Sequence, residues 1–282
     1  MSNLHEAPRL DRASPVEVPF PSSSAGDQKR DEFISRLLGI AGDPRALWIP
    51  ATGDTTSAIE QTRHAAVYTY DATVASRRTR RGSGWALNFN GTSHEADSPD
   101  VDHMSFGDGA TDEPLSIVAL VKPDDGTPAA QATILSKFNK DTDGELREWQ
   151  FFLTATTGKP RLDLFDESAN ASIARAAPTV ADGAWVLLGA TYDGSGAVGG
   201  INIWEDAAIT DDATSTTGTY VAMENTTAIV SFGHTLSAAA TPVAEEFWAG
   251  DMAFILVAAR AFGQEDMWEI KALANSMFDL AL

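Results

Sequence analysis

From Trp85 to Ala261 the chain is a succession of short apolar runs cut by turn signals, and that rhythm limits its fold more than anything else in the sequence. The runs are WALNF (85–89), LSIVALV (115–121), TILSKF (133–138), EWQFFLT (148–154), RLDLFD (161–166), WVLLGATY (185–192), INIWED (201–206), TAIVSFG (227–233) and MAFILVAARA (252–261). Asp-Gly, Asn-Gly and Gly-Lys-Pro clusters stand between them. β-Branched and aromatic residues fill the runs, and Leu115, Ile117, Ala119 and Val121 alternate onto one face. Many short strands with regular turns predict an all-β, two-sheet antiparallel sandwich. One helix follows, over 264–279. Met267, Ile270, Leu273 and Met277 make its apolar stripe, and Glu265 and Asp266 sit at its positive end.

The N-terminal third reads differently. Residues 1–30 carry Pro8, Pro15, Pro19 and Pro21 and the stretch Ser22-Ser23-Ser24-Ala25-Gly26, which predicts an extended arm. Val16, Val18 and Phe20 alternate within it, so the arm can gain apolar contacts on a neighbour. A short helix is expected over 31–41, capped by Asp31, with Phe33, Leu37 and Ile40 on one face and Gly42-Asp43-Pro44 as its stop. So short a helix is marginal alone, and its face must pack on something. Residues 31–82 are therefore read as helix and docking segment, and 83–282 as the sandwich. Whether His64-Ala65-Ala66-Val67-Tyr68-Thr69-Tyr70 adds a strand is left open by the pattern.

Charge follows the same division. The chain of 282 residues has a net charge of −20. Residues 1–82 hold 11 Lys/Arg and 10 Asp/Glu, a net of +1, whereas residues 83–282 hold 9 and 30, a net of −21. An acidic body disfavours nucleic acid and anionic membranes. Against that background Arg77-Arg78-Thr79-Arg80-Arg81 stands out as a linker or as a cluster docking onto acidic groups. The absence of cysteine excludes disulfides, thiolate metal sites and cysteine nucleophiles. No apolar run reaches the ~20 residues of a membrane helix. The first residues lack the apolar core of a secretory signal, so synthesis in a cytoplasm is expected.

Few motifs carry chemistry. Gly194-x-Gly196-x-x-Gly199 matches a dinucleotide fingerprint, but a strand follows it instead of the helix that would hold a pyrophosphate. Asn139-x-Asp141-x-Asp143-Gly144 spaces oxygen ligands like a calcium loop. Gln150 stands where a bidentate Glu belongs, and Asp-Gly is also ordinary turn chemistry. No His pair has metal-binding spacing and no G-x-S-x-G elbow occurs. Trp149, Trp185, Trp204 and Trp248 fall in strand patterns and are expected in the core, with sugar stacking as the alternative use.

The order of motifs resembles the laminin-G-like, concanavalin-A-like lectin/glucanase jelly roll. It is carried by ALNFNGTSHEADSPD (86–100), LSIVALVKPDD (115–125), ILSKFN (134–139), EWQFFLT (148–154), DGAWVLLGATYDGSG (182–196) and FWAGDMAFILVAARAFGQEDMWEI (247–270). The resemblance covers about 200 residues and stops before residue 83. It implies the fold firmly and the function loosely, since lectins, enzymes and structural modules share it. Glucanases of this fold use E-x-D-x-x-E on a concave-face strand. Here Glu95-x-Asp97-x-x-Asp100 puts Asp100 behind Pro99, and the segment is expected near the first strand, not mid-sheet.

Such sandwiches also resemble virion components of tailed phages. The expectation is thus a non-enzymatic virion structural protein, made in the host cytoplasm: a capsid decoration protein first, a tail or fibre component next. It would be anchored by Phe20, Phe33, Leu37 and Trp48, with Arg77, Arg78, Arg80 and Arg81 pairing with acidic groups of the phage protein. An oligomer within the assembly is expected, with no cofactor beyond a calcium ion at Asn139, Asp141 and Asp143. The alternative is a carbohydrate-binding module that meets cell-surface glycans, and behind it a glycoside hydrolase.

Overall fold

The computed structural model describes residues 25–51, 57–59, 61–71, 77–139, 146–236 and 244–282. Strands are numbered in chain order. The smaller sheet runs, in space, β14 (Ala208–Ile209), β13 (Ile201–Glu205), β12 (Val186–Tyr192), β7 (Leu115–Pro123), β19 (Ala249–Ala258), β5 (Gly84–Asn90) and β4 (Arg78–Arg81). To it belongs β1 (Pro44–Trp48), which also pairs with β19. The larger sheet runs β15 (Ala213–Thr217), β11 (Ala171–Ala176), β10 (Pro160–Asp166), β9 (Leu146–Leu153), β8 (Ala132–Asn139), β16 (Val230–Phe232), β6 (Ala96–Ser98), β3 (Val67–Tyr70) and β2 (Ser57–Ile59). The short β17 (Thr235–Leu236) joins the end of β8 in parallel and pairs with β18 (Ala244–Glu245). Every other pairing is antiparallel.

Two apolar layers hold this together. Leu115, Ile117, Ala119 and Val121 of β7 face the larger sheet, as their alternation predicts, and meet Trp149, Phe151, Leu162 and Leu164. The intervening Val118 and Leu120 face the other way, into a layer closed by α1 (Ala25–Ala41) and α2 (Gln264–Phe278). β7 is thus apolar on both sides, which explains why it reads as a nearly continuous hydrophobic run. All four stripe residues of α2 are buried. Its first turn is closed by Asp266, whose carboxylate accepts the Gly263 N–H at 2.9 Å.

Three N-terminal readings change. The first helix starts at Ala25, six residues before Asp31, so Asp31 is not its cap. Its apolar face packs on the chain's own sheet: the Phe33 ring sits edge-on to Phe254 and Phe278 at 5.4 and 5.7 Å. Residues 31–82 are not a linker either. β1 and β4 join the smaller sheet and β2 and β3 the larger one, so the sandwich begins well before residue 83.

The close packing of β5 on α2 has a glycine signature. A methyl at Gly84 would overlap the Phe278 ring, so only glycine lets the strand approach.

Candidate functional site

The outer face of the larger sheet carries a line of polar side chains that the sequence scatters between positions 97 and 231. Asp97, Ser231, Ser136, Gln150 and Asp163 are direct register partners across β6, β16, β8, β9 and β10. Their strand neighbours Ala96, Val230, Leu135, Trp149 and Leu162 fill the core between the sheets. Alternation along a strand therefore turns the polar set outward. Four strand spacings of about 4.8 Å make the line roughly 19 Å long.

Near its middle the line is covered. Glu246, just past β18, brings its carboxylate over β8 and β9 and accepts from Gln131 at 3.0 Å and from Gln150 at 3.1 Å. Gln150 also donates to Thr133 Oγ1 at 2.9 Å. Ser136, Ser231 and Thr133 are fully buried, and Ser136 Oγ has no hydrogen-bond partner among the described residues. Buried polar groups cost stability unless paired, so a strand face built this way is not optimised for packing alone.

At the β10 end the face opens. Arg161 and Asp163, two apart on one strand, form a bidentate ion pair, with Nη2 to Oδ2 at 3.0 Å and a second contact from Nε to Oδ1. Burial raises the Asp163 pKa and the guanidinium opposes that rise. Next to the pair, Ala174, Ala176, Ala213 and Ser215 are too small to fill the surface. They leave a depression of about 50 Å³ beside Arg161.

At the β6 end stands an acidic group. Glu95 and Asp97 share one face, and the fully buried His234 approaches both, with Nε2 3.2 Å from Asp97 Oδ1 and 3.9 Å from Glu95 Oε2. Burial pushes the Asp97 carboxyl up to about 6, against the pull of the Ser231 hydroxyl bonded to it at 2.7 Å. The same cause raises Glu95 and lowers His234. β6 lies between β16 and β3, so this segment is inside the sheet and not beside its first strand, as expected from sequence. The third carboxylate is drawn elsewhere: Asp100 bonds Lys137 Nζ at 2.8 Å. Pro99 ends the strand before it, and no row of three carboxylates forms.

The residues singled out from sequence are dispersed. Phe20, Asp141 and Asp143 lie outside the described residues. Asn139 closes β8, with its Oδ1 buried and unpartnered. Phe33, Leu37 and Trp48 are at most 3% exposed and belong to the chain's own core, so they are not free to anchor a partner. Trp48 Nε1 donates to the Tyr70 hydroxyl at 2.8 Å.

The arginine cluster is the edge strand of the smaller sheet. Arg77 is buried against Asp71 (2.7 Å) and over the Phe89 ring. Arg78 reaches the Ala51 carbonyl, and Arg81 the Asp279 carbonyl at 3.2 Å. Arg80 lies over Trp85. Charged side chains on an edge strand oppose sheet-to-sheet association, which accounts for the cluster without a partner. Trp149, Trp204 and Trp248 are buried as expected, and Trp268 on α2 is the exposed one. The loop at Gly194–Gly199 leads into β13, a strand and not a helix, as the sequence predicts.

No known protein family matches this sequence, and no curated protein does. Solved structures do match in shape. Domain 4 of AbnA, a GH43 extracellular arabinanase from Geobacillus stearothermophilus solved in complex with arabinotriose, superposes with a TM-score of 0.52 at 16% identity. The match covers 81% of this chain and 98% of that one. The binding domain of Paraclostridial Mosquitocidal Protein 1 gives 0.56 at 7% identity, and the botulinum neurotoxin serotype D domain in complex with N-acetylneuraminic acid gives 0.53 at 9%. These two matches cover 82% and 84% of this chain, which spans about half, 52%, of each toxin domain. The likeness shows the fold, a two-sheet antiparallel β-sandwich.

The polar line was not legible as a site. Its sequence signal is modest: Gln150 and Asp163 each stand between two apolar residues of a strand.

Proposed function

We propose that this chain is a non-enzymatic carbohydrate-recognition sandwich that reads a short glycan on the outer face of its larger sheet. The observation that carries the reading is the Arg161–Asp163 pair beside the alanine-lined depression, at the open end of a row of hydrogen-bonding side chains. A planar ion pair offers donors and acceptors in fixed geometry, which is what vicinal hydroxyls require, and the small residues beside it keep the surface low so that a ring can lie across it. The fold likeness to a domain solved with arabinotriose and to one solved with N-acetylneuraminic acid supports it. The departure of Asp100 from the face that Glu95 and Asp97 share speaks against the glucanase arrangement, because the third carboxylate is drawn to Lys137.

Titration calorimetry against arabino-oligosaccharides and sialylated oligosaccharides, preceded by a glycan-array survey, tests the proposal. Saturable binding that falls at least tenfold in Asp163→Ala and stays unchanged in Trp268→Ala is expected. A folded protein that binds no glycan, or whose binding depends on Trp268, would sink it.

The charge division favours a second, compatible reading of the setting. A near-neutral N-terminal third and a body of net −21 suit a protein held at one end and displayed at the other on a phage capsid or tail. Since Phe33, Leu37 and Trp48 are buried, anchoring would rest on residues 1–24, Phe20 included. A Δ1–24 variant should then fold normally and fail to join particles, and its incorporation would refute this setting.

A further inference from the structure

The neighbourhood of Lys137 is not used by the proposed glycan face, and its chemistry is specific. Lys137 and Glu148 are both fully buried, and Asp100 is 30% exposed. The lysine Nζ lies 2.8 Å from Asp100 Oδ1, 2.8 Å from Glu148 Oε1 and 3.0 Å from the Thr226 carbonyl. Glu148 reaches this point through a register shift: Lys137 pairs with Trp149 and Phe138 with Arg147, so Glu148 is the extra residue of a bulge. Its Oε1 also accepts the Thr226 N–H at 2.8 Å and the Thr226 hydroxyl at 2.9 Å, whereas Oε2 is buried with no partner. One amine and two carboxyl groups thus meet at one point, the amine and Glu148 shielded from water and Asp100 open to it on one side.

We propose that Lys137 and Asp100 condense to an intramolecular isopeptide bond, with Glu148 relaying the protons. The ammonium and the carboxylate together contain the atoms of one amide and one water. Protons leave Nζ by way of Glu148 Oε1 and pass to the departing Asp100 oxygen. The Nζ–Cγ bond forms, an Asp100 C–O bond breaks, and water is lost through the exposed side of Asp100. No oxidant, reductant or co-reactant is needed.

Three features favour the step. The reacting atoms are held in contact, which replaces a bimolecular encounter by a local one. In water, condensation is opposed by the hydration of the two ions, and here that hydration is already largely lost. Burial raises the proton affinity of the Glu148 carboxyl, which suits a group that must hold a proton in transit. The bond would tie β8 to the segment after β6, the two strands that flank β16, and so fasten the middle of the larger sheet.

Intact-mass spectrometry of the denatured full chain reads the outcome directly. The expected mass is one water below that of the sequence, and a chymotryptic digest should yield a branched peptide joining Asp100 to Lys137. Glu148→Ala and Lys137→Arg should both return to the full mass. Asp100→Asn should lose ammonia in place of water. A wild-type chain at full sequence mass, with Asp100 and Lys137 in separate unmodified peptides, overturns the proposal, and this arm does not depend on any variant folding. A bond that still forms in Glu148→Ala would remove Glu148 from the mechanism.

Discussion

The two sheets have the same inner lining and opposite outer faces. The smaller sheet is apolar on its far side and is covered by two helices, with Phe33, Phe254 and Phe278 packed ring against ring. The larger sheet puts a serine pair, a glutamine and two carboxyls at the equivalent places, and among the described residues no helix covers them. One face is solved for burial. The other holds polar groups that a packing solution would not choose, buried at the middle of the line and reaching the surface at its Arg161 end. Function is therefore sought on the face that folding alone leaves unexplained.

That contrast can be broken at its buried charge first. Lys137→Met removes the nitrogen on which Glu148 and Asp100 converge, ion-paired or bonded, and leaves Glu148 buried without it, so a loss of about 3–5 kcal/mol is expected; chemical denaturation measures it. On the helical side, Phe33→Ala should cost about 3–4 kcal/mol by opening a cavity against Phe254 and Phe278. If the two faces are separate, glycan affinity of the folded fraction will not change. A Phe33→Ala protein that folds but loses binding would show the faces to be coupled.

A smaller effect sharpens the polar face. Asp97 has its folded pKa raised to about 6, so the native state binds the extra proton between roughly pH 4 and 6. Stability from this group is present below the unfolded pKa and is lost as pH rises through 6. Asp97→Asn keeps an acceptor for Ser231 and removes the buried charge. It should stabilise the protein at pH 7.5 by on the order of 1–2 kcal/mol and leave it unchanged near pH 4. Thermal melts across that range check it, and equal shifts at both ends would show that burial of the charge is not the cause. Smallest of all, Arg80→Ala on the exposed edge should alter stability by less than about 0.5 kcal/mol while increasing self-association in light scattering.

Much of this architecture was readable in advance. All nine apolar runs contain a strand, and the stripe Met267–Met277 is the buried face of α2. Period and turn chemistry are local, so a single segment declares them. The missed elements depend on distant partners. PRALW at 44–48 is a strand because β19 receives it, and RTRR at 78–81 because β5 does, although its residues alone read as a charge cluster. The polar line is less visible still, because five residues on five strands become neighbours only through register. Lys137, Glu148 and Asp100 met for the same reason, with a bulge supplying the final turn.

The pairing of β1 with β19 also sets a timetable. Trp48 lies beside Ile255, a partner made roughly two hundred residues later. At about 5–20 residues per second, a nascent chain waits some 10–40 seconds before the first helix and strand can dock. Through that interval Phe33, Leu37, Leu47 and Ile49 have no sheet to cover them, and the net negative charge of the growing chain helps to keep waiting copies apart.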